Sequence, residues 1–218
     1  MKNILVVVLS FCALLALPQA DETDGLPYKV DVWSSVLFDA NGNSSDIDIA
    51  ESANYPAAFL DNVRARLAKA HIQAPVVDGR PATFKTGVLT SFTITPSAKG
   101  GSAKLDSLSV LPLPIKTYMA SFPDEVGKAG EWHGSLTVRC EVDVSGKCGR
   151  IDVEAPAGIP ESVRRFAKVS LEGWLFQPQE VNGQAVPGEY RLGMNLGTRD
   201  DFPEDFRIPK FNRLMNGR

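Results

Sequence analysis

Few residues of this chain have the types and spacing that chemistry on a substrate requires. The two histidines, His71 and His133, are far apart in the sequence and match no spacing typical of zinc ligands or of a catalytic base. The sequence contains no glycine-rich phosphate loop and no nucleophile-elbow pattern. We therefore expect a protein that is not an enzyme and that needs no cofactor.

Three acidic residues come close to a metal-binding spacing. Asp46, Asp48 and Glu51 lie within six positions of one another. Side chains alternate along a strand, so Asp46 and Asp48 would share one face, and their charge directs that face to solvent. We interpret them as a solvated strand edge and expect no metal site.

The charge balance argues against one class of partner. The chain has 26 acidic and 23 basic residues, which gives a net charge of −3. Proteins that bind nucleic acid concentrate positive charge on their surface. We therefore do not expect nucleic acid as a partner.

The first 20 residues have the pattern of a secretory signal peptide. Lys2 supplies a basic start, residues 4–17 are apolar, and Ala20 precedes an acidic segment. We expect cleavage after Ala20 and a periplasmic mature protein. An uncleaved inner-membrane anchor stays open as the alternative, although the apolar run is shorter than the roughly 20 residues that span a bilayer.

The cysteines predict a covalent link. Cys12 lies in the signal segment, so Cys140 and Cys148 remain after cleavage, in an oxidising compartment. They fall on opposite arms of a predicted hairpin, and a disulfide there would stabilise the domain by about 2 to 3 kcal/mol in the chain-entropy model. Two buried thiols are the alternative, because strand neighbours on a diagonal can be too far apart to bridge.

The mature part of the chain contains one pattern twice. A shift of 104 positions, the separation of Asp39 and Asp143, places nine residues on identical ones without a gap. These identities fall at turns, at a helix start and on apolar strand positions, which favours a duplicated module. The pairs are Asp39 and Asp143, Gly42 and Gly146, Ile47 and Ile151, Asp48 and Asp152, Pro56 and Pro160, Leu67 and Leu171, Gln73 and Gln177, Val77 and Val181, and Gly79 and Gly183.

The first copy, residues 28–95, predicts the order strand, strand, helix, strand. Period-two alternation marks its first strand, and a proline at the first turn marks its helix. Asp78-Gly79 has the residue types of a tight hairpin turn. The predicted elements are strands at 30–38, 46–50 and 87–95 and a helix from Pro56.

The second copy, residues 122–197, predicts the same order with clearer signals. Its predicted elements are strands at 136–142, 151–153 and 189–196, a helix from Pro160 and a hairpin turn at Asn182-Gly183. Together the copies predict an α+β fold of two tandem small antiparallel sheets, each with a packed helix.

Residues 96–121 connect the copies. Gly100-Gly101 and its small or polar neighbours predict a flexible linker. The second half is too apolar for a solvated tether, so we expect it to lie along one of the domains. The tail, residues 198–218, mixes acidic and aromatic residues and is either a docked strand or a frayed end.

Residues 122–196 resemble the C-terminal domain of TonB, the periplasmic end of the energy transducer for outer-membrane receptors. The resemblance rests on an ordered set of short pieces rather than on any one of them. These are Phe122-Pro123, Gly134, Asp143 to Gly146, Trp174, Phe176, Pro178, Asn182-Gly183 and Val186. The first copy is a degenerate relative, with Ala70 and Ile72 in the places of Trp174 and Phe176.

The resemblance implies a binding function. An exposed strand edge can take up an extended peptide as a further strand, and in this family the peptide belongs to an outer-membrane receptor. The candidate edge in this chain consists of Glu189, Tyr190, Arg191, Leu192 and Gly193. The alternative is that the linker, the tail or the first copy already covers this edge.

Three functions follow from these observations. The leading one is a periplasmic, non-enzymatic module that captures a peptide or a partner strand in outer-membrane transport. The second is an anchored transducer that keeps residues 1–20, although no proline-rich spacer precedes the first domain. The third is a structural envelope protein whose copies pair with each other, within one chain or in a homodimer.

Overall fold

The structure, a computed structural model, describes residues 26–97, 101–128 and 130–198. The predicted signal peptide and the predicted tail after Thr198 lie outside this part of the chain. Within the described residues, no helix is long and apolar enough to cross a membrane.

The first copy, named unit 1, folds in the predicted order. Its elements are β1 (Tyr28–Phe38), β2 (Ser44–Ile49), α1 (Ala57–Leu67), β3 (Val76–Val77), β4 (Arg80–Pro81) and β5 (Phe84–Thr95). The predicted turn between β3 and β4 is confirmed, because Asp78 and Gly79 have positive φ angles of 51° and 77°.

Two strands follow in the segment between the copies. They are β6 (Ser102–Leu111) and β7 (Leu113–Lys116). β6 pairs antiparallel with β5 from Thr95 opposite Ser102 to Gly87 opposite Leu111. The prediction that the apolar half of this segment lies along a domain is confirmed. The prediction of a flexible linker is wrong for residues 102–107, because their backbone already pairs with β5.

The second copy, named unit 2, again has the predicted order. Its elements are α2 (Asp124–Lys128), β8 (His133–Val142), β9 (Cys148–Glu154), α3 (Glu161–Glu172), β10 (Leu175–Gln177), β11 (Gln179–Val181), β12 (Gln184–Val186) and β13 (Gly188–Gly197). The predicted turn is confirmed between β11 and β12, where Asn182 and Gly183 have φ angles of 50° and 77°.

The strands form two principal antiparallel sheets, and the fold is α+β. The larger sheet has the order β12-β11-β5-β1-β2, with β6 also paired to β5. The smaller sheet has the order β13-β8-β9. β10 pairs with β7, and β3 pairs with β4. The hairpin of β11 and β12 therefore belongs to unit 2 in sequence and to the sheet of unit 1 in space.

The units agree in backbone pairing as well as in sequence. The same shift of 104 positions carries the β1–β2 and β1–β5 registers onto the β8–β9 and β8–β13 registers. Val36 lies opposite Ile47 and Thr86 in unit 1, and Cys140 lies opposite Ile151 and Tyr190 in unit 2. The repeat seen in the sequence is therefore a repeat of backbone structure.

Each unit has its own apolar core between one helix and one sheet. In unit 1, Val63 and Leu67 of α1 are fully buried against inward residues of β1 and β5. In unit 2, Val163 and Ala167 of α3 are fully buried against inward residues of β8 and β13. The inward residues follow the strand period of two and the helix period of 3.6 that the sequence displays.

Equivalent glycines form the first hairpin turn of each unit. Gly42 and Gly146 have φ angles of 82° and 79°, which a residue with a Cβ adopts only at a cost. A Cβ at these positions would also collide with the carbonyl oxygens of Ile72 and Phe176, respectively. Glycine is required here because the segment after each helix crosses directly over the turn.

Candidate functional site: the outer edge of β13

β13 contains all five residues of the predicted binding edge. Its alternation places Glu189, Arg191 and Gly193 on the exposed face of the sheet, whereas Tyr190 and Leu192 point inward. Tyr190 is only 2 % exposed and belongs to the core of unit 2. Its side chain is therefore part of the core that supports the edge.

One side of β13 is paired along its whole length. β8 occupies that side, from Val142 opposite Gly188 to His133 opposite Gly197. Among residues 26–97, 101–128 and 130–198, no strand pairs with the other side. The equivalent strand of unit 1, β5, has both sides filled, by β1 on one and by β6 and β11 on the other.

The direction of the backbone groups of β13 follows from one hydrogen bond. The N–H of Thr198 donates to the carbonyl oxygen of Trp132, just before β8, at 3.0 Å. Backbone groups alternate between the two sides of a strand, and the β8–β13 register has no bulge. The outer edge therefore presents the N–H and C=O groups of residues 189, 191, 193, 195 and 197.

The segment after β6 lies beside the beginning of this strand. A Cβ added at Gly188 would stand 3.0 Å from Cγ of Pro112 and would collide with the side-chain oxygen of Gln179. A Cβ added at Gly193 would meet no atom within 4 Å. Space around β13 is therefore more restricted at its start than in its middle.

The exposed face beside the edge carries both signs of charge. Glu154 of β9 pairs with Arg139 and, at 3.4 Å, with Arg191. Arg150 lies 3.3 Å from Asp152. The side chains of Arg150, Asp152 and Arg191 are well exposed, whereas those of Arg139 and Glu154 are half-buried. Exposed ion pairs contribute little to stability in water.

A shallow recess of about 530 Å³ opens on the sheet around Gly193. The recess exists because glycine leaves the face open between its neighbours. Its lining combines the polar residues Ser135, Thr137, Glu154 and Asn195 with Gly193 and the apolar residues Leu136, Ala155, Pro156 and Met194. Hydroxyl, carboxylate and amide groups there could accept a polar side chain of a bound segment.

An aromatic cluster lies beneath the beginning of β13. The ring of Tyr190 lies 4.7 Å from that of Phe176 and 5.9 Å from that of Trp174. The indole N–H of Trp174 donates to the carbonyl oxygen of Tyr118 at 2.7 Å, so its polar atom is satisfied. Burial raises the pKa of the Tyr190 hydroxyl.

The fourth aromatic ring of this cluster comes from the other unit. Trp33 of β1 stacks on Tyr190 at 6.2 Å and packs against the core of unit 2. Its neighbours Val32 and Ser34 point into the core of unit 1. The outer face of the unit 1 sheet therefore helps to close the core of unit 2.

The hairpin of β11 and β12 makes a second joint between the units. Glu180 and Val181 lie opposite Lys85 and Phe84 of β5. The N–H of Asn182 donates to the carbonyl oxygen of Thr83 at 3.0 Å, and the N–H of Thr83 donates to the side-chain oxygen of Asn182 at 3.1 Å.

The sequence predicts this hairpin, but it does not indicate that the hairpin pairs with the sheet of unit 1 rather than with that of unit 2. Trp33, an aromatic residue on the expected solvent face of β1, is a sequence signal for a contact between the units.

The predicted disulfide between Cys140 and Cys148 is present, with Cα atoms 5.5 Å apart. Cys140 is buried in the core of unit 2, and Cys148 packs at its border. The bridge joins β8 to the first residue of β9 and closes the hairpin around Gly146. Unit 1 has Val36 and Ser44 at these positions, and the Ser44 hydroxyl donates to the carbonyl oxygen of Leu67 at 2.9 Å.

The histidines and the acidic residues considered for chemistry lie in separate surroundings. Nδ1 of His71 is 3.3 Å from the side-chain oxygen of Asn43, and Nε2 of His133 is 3.1 Å from a carboxylate oxygen of Glu131. Asp46 and Asp48 are exposed on β2, as expected. In the described part of the chain, no three His, Cys, Asp or Glu residues are grouped to hold a metal ion.

No protein-family model, curated protein or solved structure matches this chain. The resemblance of unit 2 to the TonB C-terminal domain therefore stays a prediction from its sequence.

Proposed function

We propose that this chain is a periplasmic, non-enzymatic binding module that captures an extended peptide along the outer edge of β13. In this proposal, unit 2 is a TonB C-terminal-like domain, unit 1 is its degenerate copy, and the peptide belongs to an outer-membrane protein. The observation that carries it is the unequal pairing of the equivalent strands β5 and β13. β5 has neighbours on both sides, whereas in the described residues β13 pairs only with β8.

The physical argument concerns unpaired backbone groups. A strand with one free edge offers a row of donors and acceptors, and a peptide that adds as another strand satisfies them. The donors that face outward belong to Glu189, Arg191, Gly193, Asn195 and Gly197, which include three residues of the predicted edge. Affinity then comes from the main chain and requires no reactive side chain.

Proline at position 193 tests this mechanism. Gly193→Pro removes an N–H that points to the open edge, and sheet edges tolerate proline, so the fold should survive. Gly193→Ala is the matched control, because it keeps the N–H and its methyl group enters open space. We expect peptide binding to be lost in the first variant and kept in the second, with similar melting temperatures.

The binding measurement needs a readout at the edge itself. Peptides from the periplasmic N-terminal segments of outer-membrane receptors are titrated into the full chain, and hydrogen exchange is followed by NMR. Amides 191, 193 and 195 should become protected when a peptide binds. Protection that persists in Gly193→Pro with an intact melt would reject capture at this edge.

A structural envelope protein is the second candidate, and the joint between the units favours it. Trp33 closes the core of unit 2, and the hairpin of β11 and β12 extends the sheet of unit 1. If no peptide protects the amides of β13 from exchange, the main role of the duplicated units is to form these contacts with each other. The third candidate, an anchored transducer, predicts that the intact protein is recovered from the inner membrane with residues 1–20 present.

A further inference from the structure

We infer, on the basis of the proposed function, that the captured segment runs antiparallel to β13 and places apolar side chains across from Met194 and Leu196. The residues of the segment that point to the opposite, exposed face of the sheet are small or polar. This partner class is an extended segment of another protein with two apolar residues two or three positions apart.

The template for this inference is the strand that occupies the equivalent edge in unit 1. β6 lies antiparallel on the outer side of β5, with Leu108 opposite Thr90 and, beyond a β-bulge at Asp106, Leu105 opposite Phe92. Leu105 and Leu108 point inward and pack against the core of unit 1. The serines at positions 107 and 109 point outward and are exposed.

The equivalence of the units transfers this register to β13. The shift of 104 positions carries Thr90 onto Met194 and Phe92 onto Leu196, and β1–β5 pairing carries onto β8–β13 pairing without interruption. A segment that docks as β6 does would begin near Thr198 and end near Arg191. Its inward residues would then face Met194 and Leu196.

The inner face of β13 is suited to apolar partners. Met194 is 8 % exposed in the core of unit 2, and Leu192 and Leu196 pack against that core while remaining partly exposed. Apolar side chains of a bound segment would cover the exposed parts of these residues. A polar residue there would lose its water without gaining a hydrogen-bond partner.

The exposed face of the sheet favours a different kind of side chain in the bound segment. A residue opposite Gly193, the position of Ser109 in the template, lies beside the recess lined by Thr137, Glu154 and Asn195. These groups donate or accept hydrogen bonds. A segment with inward leucines and outward serines, as at positions 105 to 109 of β6, is therefore the kind that β13 would select.

A peptide copy of residues 102–111, with both ends blocked, is the probe. Its matched control carries Leu105→Ser and Leu108→Ser. Both are titrated into the full chain, and the protection of amides 191, 193 and 195 is followed by NMR. We expect the first peptide to bind at least about tenfold more tightly, because it buries two leucine side chains that the control lacks.

The direction of the segment is read from a spin label. A label at the amino end of the probe should broaden the resonances of Gly197 and Thr198, and a label at its carboxyl end should broaden that of Arg191. Gly193→Pro should abolish both effects, which separates binding at β13 from exchange with the chain's own β6.

The outcomes separate this inference from the proposed function. Equal binding of both peptides, reversed broadening, or protection of β13 by receptor peptides but not by the probe would overturn the inference while strand capture stands. A lack of protection by the probe and by every receptor peptide would overturn both.

Discussion

Units 1 and 2 have the same backbone arrangement, but they differ in side chains at equivalent positions that lie at the contact between the units. Unit 2 has the aromatic residues Trp174, Phe176 and Tyr190 where unit 1 has Ala70, Ile72 and Thr86. On the outer face of the sheet, unit 1 has the larger apolar residues. Unit 1 has Trp33 and Leu89 there, whereas unit 2 has Thr137 and Gly193.

These differences explain why the contact between the units runs in one direction. The outer face of unit 1 supplies Trp33, and the core of unit 2 supplies the rings that receive it. The reverse contact would place Thr137 and Gly193 against Ala70, Ile72 and Thr86, which offer little apolar surface. If the contact between the units were repeated from one chain to the next, the chains would assemble into a growing array. Thr137 and Gly193 on the outer face of unit 2, and Ala70, Ile72 and Thr86 of unit 1, oppose such assembly.

The largest expected effect comes from the aromatic cluster of unit 2. Trp174→Ala removes a 7 % exposed side chain and leaves the Tyr118 carbonyl oxygen without its donor. We expect a loss of about 3 to 5 kcal/mol in the free energy of unfolding, measured by guanidinium denaturation. Val169→Ala, at a 39 % exposed position, should change it by no more than about 0.5 kcal/mol.

The second effect tests the covalent difference between the units. Replacing Cys140 by valine and Cys148 by serine gives unit 2 the residues of unit 1. We expect a loss of about 2 to 3 kcal/mol, since the unfolded chain regains the freedom that the bridge removes. Peptide mapping of the oxidised protein without reductant provides the control, and two freely alkylated thiols there would contradict the bridge.

The third effect tests the joint. Trp33→Thr places the unit 2 residue on the outer face of unit 1 and removes the stack on Tyr190. We expect a loss of about 1 to 2 kcal/mol in thermal or denaturant unfolding. Tyr28→Thr, on the same strand but 52 % exposed, is the control, and an equal loss in both variants would argue against a joint at Trp33.

The smallest effect concerns the equivalent turn aspartates. The Asn43 N–H lowers the pKa of Asp39, and the Ser145 hydroxyl lowers that of Asp143. A lowered pKa in the folded state means that their stabilisation is present above the ordinary value of 3.8 and is lost as pH falls through the folded value.

Unfolding measured between pH 5 and pH 2 checks this expectation. Asp39→Asn and Asp143→Asn should each flatten the decline in stability below the ordinary carboxyl pKa. A decline as steep as that of the original protein in both variants would show that other carboxylates cause it.

The repeat, the order of elements and the positions of the turns were predictable because they depend on local patterns. Period-two alternation predicts β1 and β8, prolines predict the starts of α1 and α3, and Asp-Gly or Asn-Gly predicts the hairpins. The disulfide was predictable because Cys140 and Cys148 flank one turn. Each of these signals acts over a few residues, so the sequence by itself determined them.

Only the tertiary structure decided which strands meet across the chain. β11 pairs with β5 rather than with the sheet of its own unit. Trp33, on the outer face of β1, packs against the core of unit 2 instead of facing solvent. β6 fills the outer edge of β5, and β13 is left with one paired side among the described residues. Backbone donors and acceptors are alike in every strand, so the choice of neighbour depends on side-chain packing between distant segments, which no local pattern encodes.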